Sequence, residues 1–290
     1  TAVGRNALYS NTTASNNTAM GYGAMENNST GAQVTAYGTE SLKANTTGSN
    51  NTAMGYRALY ANTTGGRNVA VGNYTLDSQT TAGSYNVGVG YAAGDAVTTA
   101  QGVTLMGDVA GDAITTSSGC TFIGQSAGST HATGSANTAV GKTALTDCTN
   151  GGNTAVGFEA GLSITTGYNN TFLGEDAGDT TTTGYGHLML GVNTNSAGTG
   201  GEYQFVIGYD IAAPGDNTAV IGRGGQSYWK LVHTATTGWV VVSDERIKKN
   251  IKDDDLGLSF IEKIRPVTYN HKKNSEIDAD FLASTANLKK

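Results

Sequence analysis

Apolar residues along this chain do not alternate over long runs, and they do not recur at helical spacing. They come in clusters of two or three that end on Gly, and the clusters return about every seventeen residues. The anchoring glycines are Gly4, Gly21, Gly38, Gly55, Gly72, Gly90, Gly107, Gly124, Gly141, Gly157, Gly174, Gly191, Gly208 and Gly222. The residue before each is large and apolar, as in Val3, Met20, Met54, Val140 and Ile221, and the one before that is usually Ala. Four residues after Gly stands Leu8, Met25, Leu42, Leu59, Leu76 or Leu145, replaced in other repeats by Gly94, Gly111, Gly128, Gly161 and Gly178. No segment holds helical periodicity for the 10 to 12 residues that a helix needs. Each repeat therefore predicts a rung of two short β segments and two turns, with Gly supplying the tight corner.

Repeats this regular define the architecture before length does. The expected fold is all-β: a parallel β-solenoid or β-roll of about fourteen rungs over residues 1–225. A rung spacing of about 4.8 Å would make it a rod of roughly 65 Å. Asn17, Asn51, Asn68, Asn86, Asn137, Asn153 and Asn170 hold one position of the rung. Stacked, they are expected to form an Asn ladder that satisfies backbone groups at the corner. The inward residues are mostly Ala, Val or Leu, so the core is thin and needs help from association. Aligned rows of Leu and Val on one outer face predict a homotrimer.

Composition and charge narrow the picture. The 290 residues include 42 Gly and only 2 Pro. Residues 1–225 carry six Lys or Arg against fourteen Asp or Glu, and residues 226–290 carry eleven against nine. An acidic repeat region does not suit nucleic acid, whose backbone needs a basic surface. Cys120 and Cys148 stand at different points of the repeat and read as single buried thiols. There is no run of eighteen apolar residues, so no membrane insertion is expected. The chain opens on Thr1 without Met, which reads as a fragment or a processed product. No phosphate loop, Cys/His metal cluster or dinucleotide fingerprint appears, and no cofactor is expected.

After Gly224-Gly225 the pattern changes. Tyr228-Trp229-Lys230-Leu231-Val232-His233 reads as a strand, Thr236-Thr237-Gly238 as a turn and Trp239-Val240-Val241-Val242 as a second strand. Residues 226–242 would thus cap the open end of the solenoid. Residues 243–290 read as a small α+β segment. Leu256, Phe260, Ile261 and Ile264 lie at helical spacing, and Pro266 ends that helix. A strand is expected over Val267-Thr268-Tyr269-Asn270-His271.

Two stretches carry a resemblance. Asn-Thr-Ala-Val-Gly, at 137–141 and 153–157, resembles the head repeats of trimeric autotransporter adhesins, which form a left-handed parallel β-roll. It also resembles repeat regions of phage tail fibres, although this repeat is longer than the adhesin one. Ser243-Asp244 with Arg246, Lys248 and Asn250, followed by Arg265-Pro266-Val267, is similar to the opening of an auto-cleaving intramolecular chaperone domain. That domain ends phage tailspikes and tail fibres, endosialidase spikes among them. The resemblance covers about 45 residues. It implies a chaperone that trimerises, drives folding of the fibre ahead of it and then removes itself, with Ser243 as nucleophile and Lys248 as its base. The chemistry is sound in itself, since Ser-Lys pairs replace the usual triad elsewhere. The match begins again at Asp280-Phe281-Leu282-Ala283 and is lost over 284–290, so the domain is expected to be incomplete.

The resemblance implies a phage tail fibre in the virion, binding a bacterial surface glycan or protein receptor and joined to other tail proteins. As an enzyme it would be at most a single-turnover self-cleaving serine endopeptidase. One alternative is a trimeric bacterial surface adhesin or extracellular filament without catalysis. A second is a polysaccharide-degrading tailspike, for which Asp95, Asp108, Asp112, Glu159, Glu175, Asp176 and Asp179 are the scattered carboxylates. Tyr22, Tyr56 and Tyr91 directly follow a rung Gly and are candidates for stacking on sugars or for covering the roll. His187 sits at a ladder position, either as a structural residue or as a metal ligand on a threefold axis; His131, His233 and His271 show no ligand spacing.

Overall fold

The computed structural model describes residues 1–80, 83–226, 228–234 and 238–241. Over them the chain is an all-β parallel solenoid of about 13 turns, and no helix occurs among the described residues. Each turn gives one short strand, as in Thr18–Met20, Thr35–Tyr37, Thr52–Met54 and Thr138–Val140. From Ala2–Val3 to Phe205–Tyr209 each strand of the main sheet pairs in parallel with the strand one rung on: Thr52 lies beside Val69, Ala53 beside Ala70 and Met54 beside Val71. The register is a translation by one repeat, so the chain coils on itself and equal positions stack.

Alternation along three residues decides what is inside. Ala19, Ala36, Ala53 and Ala70, at the strand centres, are fully buried, whereas Met20, Tyr37 and Met54 beside them are exposed. The large residue before Gly therefore points outward. The row four residues after Gly points inward: Met25, Leu42, Leu59, Leu76 and Leu145 are all fully buried. The outer apolar row is thus not the Leu row but the one that precedes the rung glycines.

The second β segment expected in each rung is not extended. Past Gly the chain turns, with the second and fourth residues in the left-handed region: Arg57 at φ 56° and Leu59 at φ 53°. Its amides still reach the next rung. Leu42 N donates to Ala58 O at 3.0 Å, and Ala44 N donates to Tyr60 O at 3.1 Å. Stacking one rung on the next satisfies these groups without extended dihedrals. At the last turns this side does become a two-stranded parallel sheet, Thr194–Asn195 with Ile211–Ala212.

The rung glycine is required twice over. Gly55 has φ +140°, and a Cβ there would lie 2.3 Å from the carbonyl oxygen of Gly72 on the next rung. Any side chain would force the rungs apart. At the far end Thr218–Arg223 is the last parallel strand. Trp229–Thr234 pairs with it antiparallel, and Gly238–Val241 pairs antiparallel with Trp229–Thr234. A hairpin thereby covers the edge that the solenoid would otherwise leave open.

Candidate functional site

Two polar columns run inside the solenoid. In one, each Asn side chain bonds the backbone of its neighbours. Asn51 Oδ1 accepts from Asn68 N at 2.9 Å, and Asn51 Nδ2 donates to Gly65 O at 2.8 Å. Asn137 Oδ1 accepts from Asn153 N, Asn153 Oδ1 from Asn170 N, and Asn170 Oδ1 from His187 N, at 2.8 to 3.1 Å. The second column was not singled out from the sequence, although Asn11, Asn28, Asn45 and Asn62 carry the same seventeen-residue spacing. Here the amides bond each other. Asn28 Nδ2 donates to Asn11 Oδ1 at 3.0 Å, Asn45 Nδ2 to Asn28 Oδ1 at 2.8 Å and Asn62 Nδ2 to Asn45 Oδ1 at 3.0 Å. Asn28, Asn45 and Asn62 each also donate to the Gly of their own turn, as Asn45 does to Gly48 O at 3.0 Å. Buried amides remain affordable only because every donor has an acceptor.

His131, His187 and both cysteines occupy these same columns. His187 takes the place of an Asn, and its Nδ1 accepts a hydrogen bond from Gln204 N at 3.2 Å. That nitrogen must be unprotonated, and burial pushes the imidazole below its usual range, with Asp216 opposing. His131 is fully buried with both ring nitrogens against backbone carbonyls, those of Cys148 and Gly134. Burial lowers its pKa too, against the pull of those carbonyls. Cys120 and Cys148 are buried free thiols, and burial raises both, Cys148 to about 11. Among the described residues no group of three or more His, Cys, Asp or Glu is placed to hold a metal ion.

Two surfaces lie outside the columns. The flat sheet face carries one large apolar side chain per rung. Val3, Met20, Tyr37, Met54, Met106, Leu173 and Ile221 are exposed, and Val71, Val89, Ile123, Val140, Val156, Leu190 and Ile207 are half-buried between them. This is a continuous ridge about 60 Å long at the usual strand spacing, longer than the scattered apolar residues of a monomer surface. Elsewhere, Tyr168 and Tyr185 stack in parallel with ring centroids 4.8 Å apart, and Tyr203 meets Tyr185 edge-on at 5.2 Å. A hydrogen bond to Glu202 raises the Tyr185 hydroxyl to about 12.

The sequence-derived candidates fall as follows. Tyr22, Tyr56 and Tyr91 are exposed. Asp108 and Glu175 are exposed, while Asp95, Asp112, Glu159, Asp176 and Asp179 are half-buried. Ser243, Asp244, Arg246, Lys248, Asn250 and His271 lie outside the described residues, as do the helix and strand expected after residue 255. Residues 243–283 match the family model described as the chaperone of endosialidase. No curated protein and no solved structure matches the chain. A β-solenoid followed by a segment that matches this chaperone family fits a phage tailspike or tail fibre.

Proposed function

We propose that the chain is the shaft of a homotrimeric phage tail fibre, and that residues 243–290 are the trimerising chaperone that cuts itself off at Ser243. The observation that carries this reading is the chaperone-family match at 243–283, which follows the solenoid residues in the sequence. The apolar ridge of the sheet face supports association. Its side chains are left exposed or half-buried by their own chain, and two further copies offering the same ridge would cover it. In the cleavage step a neutral Lys248 takes the hydroxyl proton of Ser243 as its Oγ attacks the carbonyl carbon of an adjoining peptide bond. The proton passes to the leaving amine, and one water hydrolyses the ester and restores Ser243. The shaft then meets the bacterial surface as part of the virion.

The test uses the full 290-residue chain. Denaturing mass spectrometry is expected to find a shaft fragment ending beside Ser243, and Ser243→Ala is expected to leave the chain intact. Sedimentation equilibrium is expected to give three times the chain mass. Identical intact masses for the two proteins overturn the self-cleavage, and a monomeric mass overturns the trimer.

A further inference from the structure

Among the described residues, one tyrosine pair differs from the others in geometry. Tyr168 and Tyr185 stand one rung apart and lie face to face, with ring centres 4.8 Å apart and planes 2° from parallel. Tyr56 with Tyr74, Tyr74 with Tyr91 and Tyr185 with Tyr203 meet edge-on instead, at 85°, 81° and 79°. The coil itself holds the stack. Gly186 N donates to Tyr168 O at 3.3 Å and Tyr203 N to Tyr185 O at 3.1 Å, so the backbone under each ring is tied to the rung before it. Tyr203 closes the far side of Tyr185, its ring centre 5.2 Å away. Gly186 leaves room for that ring, since a Cβ there would lie 2.8 Å from it.

Two further features set Tyr185 apart. Glu202 is its parallel bridge partner on the next rung, and the Glu202 carboxylate accepts a hydrogen bond from the Tyr185 hydroxyl. Tyr168 is exposed and Tyr185 half-buried, so small reagents reach the pair from solvent. The herringbone of Tyr56, Tyr74 and Tyr91 is set differently. There Arg57, which bonds Asp77 at 3.0 Å, holds its guanidinium 5.8 Å from the ring centre of Tyr74. A cation beside a ring opposes removal of an electron from it.

A phenol gives up an electron readily when its proton leaves at the same time, and a hydrogen-bonded carboxylate is placed to take that proton. The phenoxyl radical that results carries unpaired density on the ring carbons ortho to oxygen, in orbitals perpendicular to the ring. Two such radicals couple carbon to carbon when those orbitals point at each other. Stacked faces meet that condition and edge-on rings do not. We propose that Tyr168 and Tyr185 form an oxidative cross-linking site, at which a one-electron oxidant joins the two rings as dityrosine and staples one rung to the next. Each ring loses one electron and its phenolic proton, that of Tyr185 to Glu202 and that of Tyr168 to water. One C–C bond forms between ortho carbons. The ortho C–H bond of each ring then breaks, and its proton moves to the oxygen, which restores both phenols. A haem peroxidase supplies the oxidation from hydrogen peroxide, which takes up the two electrons and two protons and leaves as two waters. A cross-link made in the folded coil restricts the unfolded chain, as a disulfide does, and so stabilises the shaft. Neither the trimer nor the self-cleavage is needed for this chemistry.

The full 290-residue chain is treated at low protein concentration with a haem peroxidase and limiting hydrogen peroxide. Dityrosine fluorescence is expected to appear. Digestion and tandem mass spectrometry are expected to find the peptides of Tyr168 and Tyr185 joined, two hydrogens lighter than their sum, in protein that runs as single chains on a denaturing gel. The stapled protein is expected to melt at a higher temperature than the untreated one. Tyr168→Phe and Tyr185→Phe are each expected to lose most of the fluorescence, and Tyr74→Phe to keep it. Glu202→Gln is expected to slow its appearance several-fold at an unchanged melting temperature. The proposal is overturned if the Tyr168–Tyr185 peptide is absent, or no more abundant than a Tyr56–Tyr74 one. Cross-links found only between chains overturn it too. A rate that Glu202→Gln leaves unchanged overturns the proton transfer to Glu202.

Discussion

The rungs from Gly21 to Gly72 and those from Gly90 to Gly174 fill the same lumen in opposite ways. In the first group the strand centre is Ala19, Ala36, Ala53 or Ala70, and bulk comes from Met25, Leu42, Leu59 and Leu76 across the lumen. In the second, bulk often sits on the strand, as Leu105, Phe122 or Phe172, and the facing position is Gly111, Gly128 or Gly178. The exchange is forced by space. A Cβ on Gly128 would lie 2.4 Å from the Phe122 ring, and one on Gly178 would lie 2.6 Å from Phe172. Where both positions are small, neighbouring rungs fill the gap: Gly94 is bounded by Leu76 and Leu105, and Gly161 by Leu145 and Phe172. Packing is therefore balanced across adjacent rungs rather than within each one, which is how an irregular sequence keeps a regular coil.

The polar columns differ between the same two regions. The first keeps amides stacked from Asn11 to Gln79. The second puts Val97, Ile114 and Ile164 at those positions, with His131 and Cys148 between them, all fully buried. The first region also holds its inward Leu and Met side chains on left-handed backbone, at φ 50° to 53° for Met25, Leu42, Leu59 and Leu76. That conformation costs L-residues about 1–2 kcal/mol each, and in the second region Gly relieves it at every such position but Leu145. The first region carries its bulk on strained backbone at the turn; the second keeps that arrangement at Leu145, φ 49°, and elsewhere moves the bulk to the strand or does without it.

The largest test of this contrast moves the bulk. Phe122→Ala is expected to cost about 3–5 kcal/mol by opening a cavity. Gly128→Leu is expected to cost at least as much, because the new side chain meets the Phe122 ring. The double variant recreates the arrangement of the first region, and denaturant melts are expected to recover at least half of the loss. Additive losses would mean that the two positions do not share one volume.

A smaller effect is expected in the columns. Asn45→Ala leaves Asn28 Oδ1 and Asn62 Nδ2 without each other's relay, at about 1–3 kcal/mol. Ile114→Asn, in the apolar stretch, buries an amide with no stacked amide on either side and is expected to cost about as much in the opposite chemical sense. If Ile114→Asn proves neutral in thermal melts, the two regions are interchangeable and the contrast falls.

The smallest effect is in pH. The pKa of His187 is lowered by burial in the folded state. Its contribution to stability is therefore complete above the unfolded value of about 6.5 and is lost as pH falls below it. His131 acts in the same direction. Asp77 acts the other way. Raised from 3.8 to about 6, it destabilises the folded state above pH 6, and that penalty is relieved as pH falls from 6 toward 3.8. Melting temperature measured from pH 8 to pH 4 is expected to fall less in His187→Asn than in the parent. In Asp77→Asn it is expected to fall more, since the compensating gain is gone. Parallel curves for all three proteins would show that neither group is linked to folding.

Much of this was already written in the repeat. Which residues stack on which is a translation by one period, so the spacing of the glycines determined the solenoid, the parallel register and the column that contains Asn51, Asn137, Asn153 and Asn170. The second column obeyed the same rule and was legible in principle from Asn11, Asn28, Asn45 and Asn62. Only the folded chain decided what the period does not encode. It set the inward direction of the Leu row, because a turn at φ near 50° points Leu42 and Leu59 into the lumen where an extended segment would have alternated. It turned the Leu-to-Gly changes from apparent losses of core into complements of Phe122 and Phe172. It brought Arg57 onto Asp77, twenty residues on in the chain. These are contacts between unlike positions of neighbouring rungs. A period relates like positions only, so filling space between unlike ones had to await the coil itself.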